Sequence, residues 1–374
     1  MGLIGLIVSF LAVVVLVLIP LAGVWAAGFT YLFGVVIPYA AALIFFVGLV
    51  YRIIKWGRAP VPFRIPTTCG QEKSLPWIKS NEVDNPHNLL GVLVRMALEV
   101  FCFRSLFRSI SLDFREGRAY YSSSKWLWLF ALTFHYAFLV VIIRHLRFFT
   151  EPVPALVNLL ESLDGFIEVG VGSFFNFFIE KIDAFFGMGL GPLSNLPVLL
   201  MSGVVLMMAV TYLLLRRLVL PQLRYISLAN DYFPLFLILA IGTSGLVMRY
   251  LLKVDVVGAK ELTMSLANFS PKVPEGIGTV FYVHLFLVSV FFAYFPFSKL
   301  MHLGGIFLSP TRNLVNNSRR VRHVNPWNYP VKTHTYEEYE EEFRELMIEA
   351  GLPVEKEEGK EAEEEGVENG ATQA

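Results

Sequence analysis

The chain has 374 residues, 55% of them hydrophobic and 17% charged, with a formal net charge of zero. This balance excludes an ordinary soluble globular domain, whose apolar runs are shorter and more often punctuated. Basic residues flank the apolar blocks instead of forming one stripe, which argues against nucleic-acid binding. The two cysteines, Cys69 and Cys102, include no Cys-x-x-Cys-His motif. Covalent haem attachment, four-cysteine iron–sulfur clusters and cysteine-rich zinc sites are therefore excluded, and a redox centre would have to use histidine.

Six apolar segments follow in order, at residues 3–19, 31–51, 126–148, 195–218, 232–252 and 278–301. A helix needs about 20 apolar residues to cross about 30 Å of hydrocarbon. The reading is an all-α polytopic bundle of about six transmembrane helices. The first segment sits where a signal peptide would, but it lacks a basic n-region and a small-residue cleavage site, so an uncleaved helix is expected over residues 1–30. Residues 31–310 form the main membrane domain. Within it, residues 88–118 mix Leu89, Leu93, Phe101 and Phe107 with Arg95, Arg104 and Arg108. That pattern predicts an amphipathic helix lying on the membrane surface or packed on a partner subunit. Residues 156–186 are apolar but hold Glu161, Asp164, Glu168, Glu180 and Asp183, too acidic for a span, so re-entrant or interfacial helices are expected. Residues 311–374 form an extension that carries fifteen glutamates against three basic residues from residue 335 onward, and its end beyond Pro353 is expected to be disordered.

Charge placement sets the orientation. Arg52, Lys55, Arg58 and Arg64 follow the second segment, Arg115, Arg118 and Lys125 precede the third, and Arg216, Arg217 and Arg224 lie between the fourth and fifth. Arg312, Arg319, Arg320 and Arg322 follow the sixth. The positive-inside rule places all these regions in the cytoplasm, with both termini inside the cell membrane.

Seven histidines occur, and His87, His323 and His334 fall in polar stretches. The other four are His135 and His145 in the third segment, and His284 and His302 in or at the end of the sixth. Ionisable residues within membrane helices are costly and usually functional. On a helix rising 1.5 Å per residue, His135 and His145 are about 15 Å apart and His284 and His302 about 27 Å apart. The two segments run antiparallel, so His135 should pair with His302 near the cytoplasm and His145 with His284 near the outer face. The two centres would lie about 21 Å apart along the membrane normal. Two bis-histidine haems b satisfy this pattern, with the four histidines as ligands to haem iron, and such ligation leaves no open iron position, which suits electron transfer. Arg144 and Arg147 could pair with haem propionates or snorkel at the helix end. A haem-free membrane anchor and a transporter are the alternatives; no internal repeat of the transporter kind is seen.

The ten- and eighteen-residue histidine spacings resemble the gamma subunit of respiratory nitrate reductase, a di-haem cytochrome b that oxidises quinol. In that family the ligands lie on the second and fifth of five helices, and one extra N-terminal helix here shifts them to the third and sixth. The stretch Phe103-Arg104-Ser105-Leu106-Phe107-Arg108-Ser109 is similar to the membrane cytochrome b subunit M of the dissimilatory sulfite-reduction-associated complex. So are Ser123-Ser124-Lys125-Trp126 through Phe134-His135-Tyr136, Arg144-His145-Leu146-Arg147-Phe148-Phe149 and Leu163-Asp164-Gly165. The same family is called the cytochrome b of the heterodisulfide-reductase-like menaquinol-oxidising enzyme. The resemblance implies menaquinone as substrate and electron transfer in a sulfur-metabolism respiratory complex. It implies as partners a cytoplasmic iron–sulfur subunit related to heterodisulfide reductase, a second quinone-interacting membrane subunit, an outer-face multihaem cytochrome c and a ferredoxin-like subunit. The nitrate reductase resemblance, together with the local residues, points to quinol oxidation at the outer haem, where Phe148, Phe149 and Phe166 could form a wall. Glu151, Glu161, Asp164 or Glu168 could take the proton there, or merely solvate an outer loop.

Overall fold

The computed structural model describes residues 2–59, 81–115, 117–165, 200–315 and 333–355. The acidic stretch beyond residue 355, residues 166–199 with Phe166 and Glu168, Cys69 and His323 lie outside these residues. In chain order, leaving aside helices of six residues or fewer, the described helices are α1 (Gly2–Trp25), α2 (Leu32–Gly57), α3 (Leu89–Cys102), α4 (Lys125–His145), α5 (Ala155–Gly165), α6 (Met201–Val219), α7 (Ala229–Leu246), α8 (Val256–Ala267), α9 (Thr279–Tyr294), α10 (His302–Leu308) and α11 (Tyr336–Glu349). A 3₁₀ turn extends α4 to Phe148, and a π-helical stretch, Val247–Leu252, extends α7. With these extensions, α1, α2, α4, α6, α7 and α9 are long and apolar enough to cross a membrane.

These six pack as a chain of neighbours: α4 on α6, α6 on α7, α7 on α9 and α9 on α2, with α1 against both α7 and α9. Three small cores hold them. One joins Phe33 and Val35 of α2 to Leu262 of α8 and Phe281, Tyr282 and Phe286 of α9. A second joins Val13 of α1 to Leu237 of α7 and Val283 and Leu287 of α9. A third joins Ala137 of α4 to Leu206, Val210 and Ile238. Outward faces stay apolar, with Leu43, Phe46 and Val47 of α2 more than 60% exposed. Such surface is stable only in lipid, where small residues at the contacts let helices approach. On α1, Gly5 lies so close to α7 that an added Cβ would stand 2.9 Å from the Ala229 nitrogen. Four residues on, Ser9 Oγ lies 2.7 Å from the carbonyl oxygens of both Gly5 and Ala229.

Two sequence expectations are corrected here. Residues 88–118 do not form one helix: α3 ends at Cys102, with Phe103 in the left-handed region at φ 51°. A hairpin follows, β1 (Ile110–Arg115) paired antiparallel with β2 (Arg118–Ser123), closed through Gly117 at φ 74°. Ile110, Leu112 and Phe114 alternate with polar neighbours, a period of two that a helix cannot use. Moreover, α3 turns Arg95 and Glu99 inward and Leu89, Leu90 and Leu93 outward. Arg95 donates to the carbonyls of Asp84, Arg312 and Leu314, while Glu99 accepts from Arg312 and Ser105. The second correction concerns residues 278–301. The α-helix stops at Tyr294, and two 3₁₀ turns, Phe295–Phe297 with Pro296, which has no N–H to give, and Lys299–Met301, precede α10. His302 therefore opens a new helix and does not continue the old one.

The unit comprising Arg58–Val61 and Val324–Ala374 is separate. Its described helix, α11, starts with a reciprocal capping box between Thr335 and Glu338.

Candidate functional site

Helices α4 and α9 are not close neighbours in the bundle; α4 faces α9 and α10 through one histidine pair each. Helix α4 presents His135 midway and His145 at its end, where the first turn of extra 3₁₀ begins. His302 stands opposite His135 with ring centroids 5.8 Å apart and planes at 82°. His284 stands opposite His145 with centroids 6.3 Å apart and planes at 15°. The antiparallel arrangement thus brings together the residues that spacing had paired.

Each imidazole is oriented by its Nδ1. His135 reaches the Ala131 carbonyl at 2.7 Å, His145 the Val141 carbonyl at 2.7 Å and His302 the Lys299 carbonyl at 2.9 Å. A carbonyl can only accept, so these Nδ1 atoms carry the proton and the Nε2 lone pair is left for a metal. His284 Nδ1 lies 2.9 Å from Ser244 Oγ, and that hydroxyl donates to the Ile241 carbonyl at 2.9 Å. Ser244 must then accept from His284, which fixes the same tautomer.

The spacing can be compared with metal geometry. A metal–imidazole bond is about 2.0–2.1 Å and a ring centroid lies about 1.1 Å beyond its nitrogen, so two trans imidazoles put their centroids about 6.3 Å apart. Both pairs fall close to that value. Among the described residues no group of three or more His, Cys, Asp or Glu could hold a metal ion. Donors in twos suit an ion that brings its own four equatorial ligands, as haem iron does, and not a bare ion. The residues present therefore fit haem.

Four residues that sequence reasoning missed complete the two ends. Phe103 and Phe134 stand edge-on to His135, each with its centroid 4.9 Å away. Phe103 is held there because Trp128 Nε1 donates to the Cys102 carbonyl at 2.7 Å and Tyr136 OH to the Phe101 carbonyl at 2.9 Å. Its strained backbone is a signal that no sequence pattern carries. Ser244 and Gly245 approach His284 from α7; a Cβ on Gly245 would lie 3.5 Å from the ring. A serine beside glycines in an apolar helix was the only hint of them.

Arg144, Arg147 and Lys260 engage the acids at the His145 end. Arg144 donates to Asp164 at 2.6 Å and Ser202 at 3.2 Å, and Asp164 also accepts from the Ser202 backbone at 2.6 Å. Arg147 bridges both carboxylate oxygens of Glu161. Glu151 pairs with Lys260 of α8, and Thr263 of α8 donates to the Phe148 carbonyl at 2.5 Å. Helices α5 and α8 thereby cover residues 146–151. The Phe148 ring lies 5.9 Å from His145, and Phe149 is exposed.

A bundle of apolar spanning helices that brings membrane histidines together in pairs is the architecture of a membrane cytochrome b. In agreement, residues 194–323, a range that includes α6 to α10, match the nitrate reductase gamma subunit family model. The chain is 43% identical over 304 residues to the Hdr-like menaquinol oxidoreductase cytochrome b-like subunit of Archaeoglobus fulgidus, covering 79% of this chain and 83% of that one. It is 39% identical over 298 residues to the protein so named in Archaeoglobus profundus, covering 78% and 81%. The chain belongs to the family of Hdr-like menaquinol oxidoreductase cytochrome b-like subunits.

Proposed function

We propose that this subunit carries electrons between menaquinol and a cytoplasmic iron–sulfur subunit, using two bis-histidine sites for haem b, His135/His302 and His145/His284. The observation that carries the reading is that both pairs sit 5.8–6.3 Å apart with every Nδ1 already engaged. Bound at these sites, two haems b would supply a one-electron path through the bilayer. The chain's own residues orient the ligands and exclude water: Phe103 and Phe134 at one pair, Phe148 and Ser244 at the other.

Quinol is assigned to the His145 end. Phe148 and Phe149 offer an apolar wall. Of the candidate proton acceptors among the described residues, Asp164 and Glu161 are held by Arg144 and Arg147, whereas Glu151 has a side chain 60% exposed and is paired with Lys260. Glu151 is therefore the acid best placed to take a proton and pass it to the aqueous side. Arg144 and Arg147 serve by anchoring α5 over the site. The basic flanks favour a cytoplasmic His135 end, where α3, the hairpin and the segment following α10 would receive the iron–sulfur partner. The other membrane and outer-face subunits follow from the family resemblance. The test is a pyridine haemochrome assay with reduced-minus-oxidised spectra on the purified chain: two low-spin haems b per chain are expected, and one or none ends the proposal. Adding a menaquinol analogue to a variant that lacks only the His135/His302 haem should still reduce the remaining one.

A further inference from the structure

The cations at the His145 end are not all matched by acids. Arg144 and Arg147 have Asp164 and Glu161, but Arg249, in the π-helical stretch Val247–Leu252, makes no ion pair or hydrogen bond among the described residues. Its Nε is buried without a hydrogen-bond partner, and its guanidinium carbon sits 5.8 Å from the Tyr250 ring centroid. The Arg144 guanidinium is close enough to repel it. A half-buried cation beside a like charge, lacking a counter-ion, is a costly arrangement unless an anion joins it.

Arg249 also stands in register with the histidine site. Gly245 is the α7 position that faces the His284 ring, its Cβ place 3.5 Å from that imidazole. Residues four apart share a helix face and differ by about 6 Å in rise, so Arg249 lies one turn beyond Gly245 on the face turned to His284. The local π-helical winding, which keeps residues 245 and 249 aligned, is of the kind often found at functional sites. A planar guanidinium prefers a carboxylate and can bind it through two parallel hydrogen bonds.

We propose that Arg249 is the carboxylate-binding cation of the His145/His284 site, positioned to pair with a propionate of the haem held there. This rests on the haem reading above. The small Gly245 lets α7 approach His284, and Arg249 one turn further supplies the positive charge. Arg144, already neutralised by Asp164, keeps α5 and α6 in place around it.

The experiment uses the full chain in nanodiscs, with Arg249→Leu, Arg249→Lys and, as a charge control on an exposed loop, Lys272→Gln. Redox titration follows each haem separately, the haem of this site being the one lost in His145→Ala. Arg249→Leu should lower that haem's midpoint potential and make it more pH-dependent, because an uncompensated carboxylate favours the oxidised iron and can now titrate. Arg249→Lys should stay near wild type, and the His135/His302 haem should not move in either. If Arg249→Leu sheds the haem, the proposal requires Arg249→Lys to retain it at near-native potential; loss in both overturns the pairing. An unchanged potential in Arg249→Leu, or a shift no larger than that of Lys272→Gln, overturns it too. An effect of Arg249 that vanishes in nanodiscs without anionic lipid would show that it holds a lipid phosphate instead. Failure of the haem reading is separate, since it would appear in the wild-type chain as missing haem.

Discussion

His284 shows how one side chain depends on a second. Its Nδ1 proton goes to Ser244, whose own proton goes to the Ile241 carbonyl, so the ring's orientation is set two bonds away from any metal. Losing such a partner typically costs 10–100-fold in metal affinity. Ser244→Ala should therefore weaken haem retention at the His145/His284 site by about 10-fold to 100-fold while sparing the other site; haem titration of the apo-chain measures both. The ligands themselves give a sharper outcome. His145→Ala and His284→Ala should remove the same spectral component, and His135→Ala and His302→Ala the other. If His135→Ala and His145→Ala erase the same component, the pairing is wrong.

At the scale of elements, two contacts make distinct predictions. Helix α1 is fixed to α7 by Gly5 and Ser9, and a Gly5→Leu side chain would meet the α7 backbone where even a Cβ is at 2.9 Å. Its expected result is a lowered thermal midpoint in detergent and easier proteolysis of α1, with both proposed haems kept, because the paired histidines lie on α4, α9 and α10. On the opposite side of the argument is Asp84, which Arg104, joined by Arg108, holds down at about 2 against the usual 3.8. A depressed carboxylate stabilises the folded state fully above the unfolded value and loses that contribution as pH falls through the folded one. Protection of residues 84–108 from hydrogen exchange should thus hold down to about pH 4 and fall between there and pH 2. Asp84→Asn should remove this pH dependence; an unchanged profile in the variant would mean that other groups anchor α3.

Considered whole, the molecule is an apolar bundle whose outward faces need lipid, with a polar network fastening α3 to the segment after α10. Arg95 and Arg312 cross between these two, so α3 is held by the protein while its leucines point outward. The basic flanks predict that a reporter fused after Ala374 will be read in the cytoplasm. A chain truncated after His334 should keep both proposed haems, since none of the four paired histidines lies in the unit carrying α11. Simultaneous loss of both would make that extension structural.

Much of this was legible in sequence for a physical reason: lipid demands long unbroken apolar runs, so six segments were visible and the structure places a helix in each. Histidines are rare in such runs, and spacing on antiparallel helices is enough to match 135 with 302 and 145 with 284. What composition could not reveal depended on contacts between segments far apart in the chain. The inward turn of Arg95 and Glu99 comes from carbonyls and a guanidinium more than 200 residues away. The break after Tyr294 was marked by Pro296, yet only the fold shows that the chain restarts in time to set His302 against His135. The period of two in Ile110–Arg115 was hidden among basic and apolar residues that suit a surface helix equally well. Ser244, Gly245 and Arg249 gain their meaning from lying on the helix that packs against His284, and adjacency of that kind is decided by tertiary structure alone.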